Sequence, residues 1–131
     1  MTRELFWLTL TVILTGVMWI PYVVNRCQIR GLSGAMANPS RNDRPQSEWA
    51  TRMMFAHDNA VENLVIFATL VLCASALGIS GSTIATAAIV YFWARVVHAL
   101  AYTFAVPWVR TLAFGVGFFA QMTVAWLILT R

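Results

Sequence analysis

Four long apolar stretches divide the chain, and each is long enough to cross a bilayer as a helix. The first, Leu5 to Val24, has 20 residues without a charge, which suffices to span a hydrocarbon core of about 30 Å. The other three run from Ser47 or Glu48 to Leu77, from Thr83 to Phe104, and from Thr111 to Thr130. This pattern predicts an all-α membrane protein, a bundle of four transmembrane helices that forms a single domain over residues 1–131.

Polar segments separate the predicted spans. Asn25 to Thr51 contains glycines, prolines and most of the charges, so it is predicted to be a long loop. Pro21 is expected to bend the end of the first helix, because proline has no backbone N–H to donate. Short connections are predicted at residues 78–82 and 106–108.

The composition agrees with a membrane location. Hydrophobic residues make up 60% of the 131 residues and charged residues 11%, against about half and about a quarter in soluble domains. The mean hydropathy is +0.70. A soluble chain of this size has too little interior to hide so much apolar surface. The two cysteines, Cys27 and Cys73, lack metal-like spacing and are interpreted as packing residues.

Arginine supplies all nine basic residues, and the net charge is +4. The arginines stand singly between apolar runs, so they are interpreted as charges at membrane edges and not as a nucleic-acid surface. Most fall on one side of the predicted bundle: Arg26, Arg30, Arg41, Arg44, Arg52 and Arg110. Because cytoplasmic loops carry the excess of positive charge, the first loop is predicted to be cytoplasmic. The absence of lysine suggests a GC-rich bacterial genome, and therefore the bacterial inner membrane.

Ionisable and amide side chains interrupt the apolar pattern of the second and third spans. At about 100° per residue, one arc of the second span carries Arg52, Asn59, Glu62 and Asn63. Asp58 flanks that arc, whereas His57 points elsewhere. A narrower stripe on the third span carries Tyr91, Arg95, His98 and Tyr102. Charged groups within membrane spans are costly and mark functional sites. We expect the two stripes to face a shared polar cavity near the cytoplasmic end, suited to a zwitterionic or anionic ligand.

A simpler interpretation is that Glu62 and Arg95 pair only to hold two helices together, since interhelical polar contacts contribute about 0.6–2 kcal/mol. The number of converging polar groups exceeds what one such pair needs, which favours the cavity. Motifs of hydrolases and of phosphate-binding loops are absent. Two histidines on different helices are too few for a metal site, so none is predicted.

Three segments resemble the MAPEG family, the membrane-associated proteins in eicosanoid and glutathione metabolism. Residues 57–63, HDNAVEN, are similar to the H-x-N-x-x-E segment of that family's second helix. Residues 94–102, ARVVHALAY, followed by Pro107 and Arg110, are similar to its R-x-x-H-x-x-x-Y…P…R segment. QIR at 28–30, ahead of ANP at 37–39, looks like the end of helix one in the microsomal prostaglandin E synthase branch. The resemblance extends over about residues 26–118 and is that of a bacterial-type member.

The resemblance implies a homotrimer of four-helix subunits that binds glutathione between neighbouring subunits near the cytoplasmic side. The positions that match the family's glutathione site are Arg30, Asn59, Glu62, Arg95, His98 and Tyr102. Glu62 would meet the amino group of glutathione, and the arginines would meet its carboxylates. Arg110 would sit near the sulfur as the catalytic residue, since a nearby cation lowers the pKa of a thiol and favours the nucleophilic thiolate. An apolar cleft would supply a hydrophobic second substrate from the membrane lipid.

Three positions depart from the catalytic branches of the family. Phe55 and Asp58 stand where arginine is often found, and Phe114 stands where tyrosine is often found. The leading prediction is a membrane glutathione transferase or peroxidase that acts on hydrophobic electrophiles or lipid hydroperoxides. The alternatives are a non-catalytic MAPEG-like protein that binds a lipid or a partner, and a small proton-coupled transporter that uses Glu62.

Overall fold

The structure is a computed structural model that describes residues 1–131 as five helices without strands. The helices are α1 (Arg3–Val17), α2 (Trp19–Met36), α3 (Glu48–Ala76), α4 (Ser82–Thr103) and α5 (Pro107–Leu129). α1 and α2 follow one another as a single stretch, Arg3–Met36, which is one of four helical stretches long and apolar enough to cross a membrane. The predicted all-α architecture with four spans is therefore confirmed.

Successive spans alternate in direction, so the connections collect at two ends of the bundle. One end, here called the loop end, holds the segment 37–47 between α2 and α3 and the connection 104–106 between α4 and α5. The other, here called the turn end, holds the turn 77–81 and both chain termini. The C-terminal Arg131 donates a hydrogen bond to the carbonyl of Leu77 at this end.

The first span is interrupted at Met18, between α1 and α2. Pro21 lies three residues further on and has no N–H for the carbonyl of Val17, so the regular hydrogen-bond ladder breaks there. This agrees with the predicted bend, although the break comes one turn earlier than the proline. A second irregularity lies at Gly31, whose φ of 72° and ψ of 166° depart from helical values.

The prediction of a loop from Asn25 is wrong, because helical structure continues to Met36. The polar residues that indicated a loop instead form hydrogen bonds between α2 and the segment 37–47, which leads into α3. Asn25 Nδ2 donates to Ser47 Oγ at 2.9 Å, and Arg26 Nε donates to Gln46 Oε1 at 3.2 Å. The fourth span likewise begins at Pro107 and not at Thr111, since proline is favourable at the first position of a helix.

α4 lies at the centre of the bundle and packs against α1, α3 and α5. Its buried face is rich in alanine, which lets the neighbouring helices approach closely, as is common in membrane bundles. The rings of Phe67 on α3 and Tyr91 on α4 stack with centroids 3.7 Å apart. Gly117 on α5 faces the same tyrosine, and a Cβ there would lie 3.8 Å from its ring. This part of the core therefore consists of small residues packed around the stacked rings of Phe67 and Tyr91.

Large apolar side chains cover the outer surface of the bundle. Trp93, Leu112, Phe119 and Trp126 are all more than half exposed, together with many other aliphatic and aromatic residues. In water such a surface would favour aggregation, whereas in a bilayer it matches the surrounding acyl chains. The exterior thus supports the assignment to the membrane.

Candidate functional site

A buried guanidinium lies where α3 and α4 meet, towards the loop end. Arg95 is 4% exposed and donates from Nη2 to Asn59 Oδ1 at 2.7 Å and to His98 Nδ1 at 3.3 Å. It forms no ion pair, and its Nε has no hydrogen-bond partner. A charge removed from water in this way is costly unless an opposite charge compensates it. The site therefore holds a positive charge that no carboxylate of the chain neutralises.

A chain of amides continues from Asn59 into the middle of the bundle. Asn63 Nδ2 donates to the backbone carbonyl of Asn59 at 2.9 Å, one turn away on α3. Gln121 on α5, which is 2% exposed, donates from Nε2 to the carbonyl of Asn63 at 3.1 Å. Sequence reasoning did not select Gln121. The sequence did mark this residue, because Gln121 is the only amide side chain in the predominantly apolar fourth span.

A pocket of about 310 Å³ opens beside these groups between α3, α4 and α5. It is lined by Asn59, His98, Tyr102, Arg110, Thr111 and Phe114. The Arg110 guanidinium carbon lies 4.7 Å from the centroid of the Tyr102 ring, a cation–π arrangement that fixes the charge at the mouth. The ring of His98 packs edge-on against Tyr102 at 5.7 Å. Two cations, one buried and one at the mouth, thus flank a polar pocket.

The pocket gathers the predicted residues Asn59, His98, Tyr102 and Arg110, and Arg95 lies directly behind it. Two other predicted residues, Glu62 and Arg30, lie outside this pocket. Glu62 is exposed on the outer face of α3 and makes no ion pair, so the simple Glu62–Arg95 pairing is not present.

Arg30 lies in a separate depression of about 370 Å³ at the loop end. Its Nη1 is 3.4 Å from Asp43 Oδ2, and its Nε donates to the carbonyl of Arg44 at 2.8 Å. His57 also points away from the pocket, as predicted, because its Nδ1 is hydrogen-bonded to the hydroxyl of Tyr22 at 2.8 Å.

Two lining residues change the chemistry that the pocket offers. Thr111, which sequence reasoning did not select, follows Arg110 and brings a hydroxyl that donates to the carbonyl of Pro107 at 3.0 Å. Phe114 places an apolar ring 6.4 Å from that of His98, where a tyrosine would bring a phenol. The structure contains no group of three His, Cys, Asp or Glu side chains that would hold a metal ion.

The fold and the pocket define a four-span integral membrane protein with a cationic, amide-lined pocket near one end of its bundle. The sequence profile of the MAPEG family matches residues 5–130, nearly the whole chain, and the chain therefore belongs to the MAPEG family. This family includes glutathione transferases and peroxidases as well as non-catalytic members. No curated protein and no solved structure matches the chain significantly.

Proposed function

We propose that the protein is a glutathione-dependent transferase or peroxidase that acts on hydrophobic electrophiles or lipid hydroperoxides in the membrane. The observation that carries this proposal is the convergence of Asn59, His98, Tyr102 and Arg110 on one pocket, with Arg95 behind it. These residues come from three helices, α3, α4 and α5. MAPEG proteins generally use glutathione.

The charges around the pocket complement those of glutathione, which carries two carboxylates, one ammonium group and one thiol. Arg95 lacks an anion of its own, so a ligand carboxylate would neutralise it and accept a hydrogen bond from its unpartnered Nε–H. Arginine suits this task because its planar fork binds carboxylates in a bidentate manner. Arg110 at the mouth would then face the sulfur and favour the thiolate.

The reactions follow from a thiolate held in this position. Towards an aryl halide, the sulfur forms a bond to carbon and halide leaves with the bonding electrons, while the thiol proton goes to solvent. Towards a lipid hydroperoxide, two glutathione molecules supply two electrons and two protons. The products are an alcohol, water and glutathione disulfide.

The pocket of a single chain, about 310 Å³, lies at the lower end of the range of about 300–1,000 Å³ that is usual for ligand sites. We propose that a homotrimer completes it, which is the usual assembly in this family. Glu62, exposed on α3, would then meet the glutathione ammonium at a subunit boundary, and Arg30 of a neighbouring subunit would meet a carboxylate. The arginines at the loop end favour a cytoplasmic position for this site.

A non-catalytic role is the second candidate, and three side chains favour it. Phe114 offers no hydroxyl to the pocket. Phe55 and Asp58 are exposed on α3, where catalytic relatives carry cations. With fewer donors in the pocket, the same protein would bind a lipid or a partner without activating a thiol.

Glutathione titration of the purified protein in detergent separates the two candidates. A ligand at about 100 times its dissociation constant stabilises the folded state by about 2.7 kcal/mol, which a melting experiment detects. Stabilisation together with conjugation of chlorodinitrobenzene supports the enzyme, whereas stabilisation alone supports the scaffold. Arg110→Ala should abolish conjugation. Arg41→Ala is the matched control, because Arg41 is exposed and makes no side-chain hydrogen bond or ion pair. No stabilisation by millimolar glutathione would refute glutathione binding.

A further inference from the structure

A second cavity, of about 510 Å³, lies on the opposite side of α4 from the candidate site. It is almost wholly apolar, and its lining includes Met18, Pro21, Met53, Ala99, Leu100 and Thr103. None of its lining residues belongs to the cationic pocket. A small cluster of Met18, Ala56 and Ala60 packs against Ala99 and Tyr102. Ala99 lines this cavity, and Tyr102 lines the cationic pocket.

The break in the first span creates this cavity. α1 packs against both α3 and α4, whereas α2 packs chiefly against α3. The chain therefore leaves α4 after the break at Met18, with Pro21 one turn later. The cavity lines this bend through Met18 and Pro21 and extends onto α3 and α4 through Met53 and Ala99. The cavity is therefore a consequence of the backbone path and not of the position of a single side chain.

A guanidinium stands at the loop-end mouth of the cavity. Arg52 Nε donates to the backbone carbonyl of Thr103 at 2.9 Å, which fixes the side chain beside the lining. Its partner Glu48 is 3.6 Å away and 93% exposed, and exposed pairs of this kind are weak. Arg52 is itself 32% exposed, so donors of its fork remain free for an incoming anion.

We propose that this cavity holds one acyl chain of an anionic phospholipid whose phosphate binds Arg52. An apolar slot beneath a fixed guanidinium matches the two chemical parts of such a lipid, because arginine binds phosphate oxygens in a bidentate manner. Trp49 and Phe104 at the mouth are partly exposed, as is typical of aromatic side chains at the headgroup level. Other arginines at the loop end add a positive field that concentrates anionic lipids.

A helix from a second copy of the chain is a poorer occupant. A helix with its side chains is about 10–12 Å across, whereas a cavity of about 510 Å³ at a bend is better filled by a flexible chain. A neutral phospholipid has the same acyl chains but no net charge to match Arg52. The charge of Arg52 therefore favours an anionic lipid over a neutral one, and the shape of the cavity favours an acyl chain over a helix.

Native mass spectrometry of the delipidated protein, reloaded with equal amounts of phosphatidylglycerol and phosphatidylcholine, tests this proposal. The wild type should retain phosphatidylglycerol preferentially. Leu100→Trp fills the cavity and should lower retention severalfold. Val97→Trp is the matched control, because Val97 lies on the same helix but lines a different groove. Arg52→Gln should lower phosphatidylglycerol retention about fivefold, the effect of one arginine near an anionic surface. Arg41→Gln should lower it less than Arg52→Gln does, because the exposed Arg41 acts only through the general positive field of the loop end.

Equal retention of the two lipids by the wild type would overturn the proposal, as would equal loss in Leu100→Trp and Val97→Trp. Displacement of phosphatidylglycerol by oleate would assign the cavity to a free fatty acid instead. A change of oligomeric mass in Leu100→Trp, with no change in bound lipid, would assign it to a subunit contact. Thermal melts of each variant show whether it is folded, and none of these measurements involves glutathione.

Discussion

Replacing Asn59 by leucine is expected to destabilise the protein by removing the side-chain oxygen that faces Arg95. Asn59 Oδ1 accepts from Arg95 Nη2 at 2.7 Å, and the guanidinium has no carboxylate partner in the subunit. A hydrogen bond to a charged group contributes about 1.5–3 kcal/mol, and an unpaired buried charge costs about 3–5 kcal/mol. Since His98 still accepts one bond at 3.3 Å, the expected loss in the free energy of unfolding is about 2–3 kcal/mol.

Arg95→Met is expected to have a much smaller effect, although it removes the larger group. It eliminates the cost of keeping a cation out of water, which offsets the two lost hydrogen bonds, and methionine fills much of the same volume. Asn59 Oδ1 keeps a partner, because Asn63 Nδ2 lies 3.3 Å away. The change in the free energy of unfolding should lie within about 1 kcal/mol of zero. In Asn59→Leu/Arg95→Met, most of the loss caused by Asn59→Leu should be recovered.

Reversible unfolding in mixed micelles, followed by the fluorescence of the six tryptophans, measures all four corners of this double-mutant cycle. The expected coupling between the two sites is about 2 kcal/mol, well above the additivity error of about 0.5 kcal/mol. If Arg95→Met cost more than 3 kcal/mol while Asn59→Leu cost nothing, the buried charge would have to be compensated by an anion that stays bound. The reasoning from an unneutralised guanidinium would then fail.

Three further substitutions test local features. Ala105→Gly should stabilise the protein by about 1 kcal/mol in the same unfolding assay, because Ala105 has a φ of 60°, which is strained for any residue with a Cβ. Gly31→Ala should destabilise it by about 1–3 kcal/mol, since its φ of 72° and ψ of 166° are accessible almost only to glycine. Gly16→Ala serves as its control and should not destabilise, because Gly16 lies in the last turn of α1 with nothing within 4 Å of an added Cβ. Phe114→Tyr should raise the rate of chlorodinitrobenzene conjugation without changing stability, because it brings a phenol into the pocket. An unchanged rate would show that the residue at position 114 does not influence the reaction.

The spans were predictable from sequence because lipid imposes a simple rule, that about 20 apolar residues make one crossing. The polar stripe of α4 was predictable for a similar reason. Arg95, His98 and Tyr102 are spaced for one helical face, and all three lie on the side of the candidate pocket. The helical extension from Asn25 to Met36 was not predictable, because its polar side chains are satisfied by residues about twenty positions further on, such as Ser47. Local composition carries no information about such partners.

The arc predicted on α3 was too wide to face a single neighbour. At about 100° per residue, Asn63 and Glu62 lie roughly 40° and 60° from Asn59, on opposite sides of it. Asn63 faces α5, where Gln121 donates to its carbonyl, so Glu62 is directed away from α5 and out of the subunit. A helical wheel shows which residues share a face, but the position of the neighbouring helices decides which part of that face is covered.

The outward position of Glu62 constrains the proposed assembly. Glu62 precedes Ala76, the turn-end residue of α3, by 14 residues, or about 21 Å at 1.5 Å per residue. That depth falls within a hydrocarbon core of about 30 Å, where a carboxylate exposed to lipid costs about 2.5–3.5 kcal/mol. Asp58 is exposed on the same face, one turn closer to the loop end. Two carboxylates on one outward face are unfavourable towards acyl chains but suit a hydrated boundary between subunits. The face that the single chain leaves uncovered is therefore the one that the proposed trimer and its ligand would occupy.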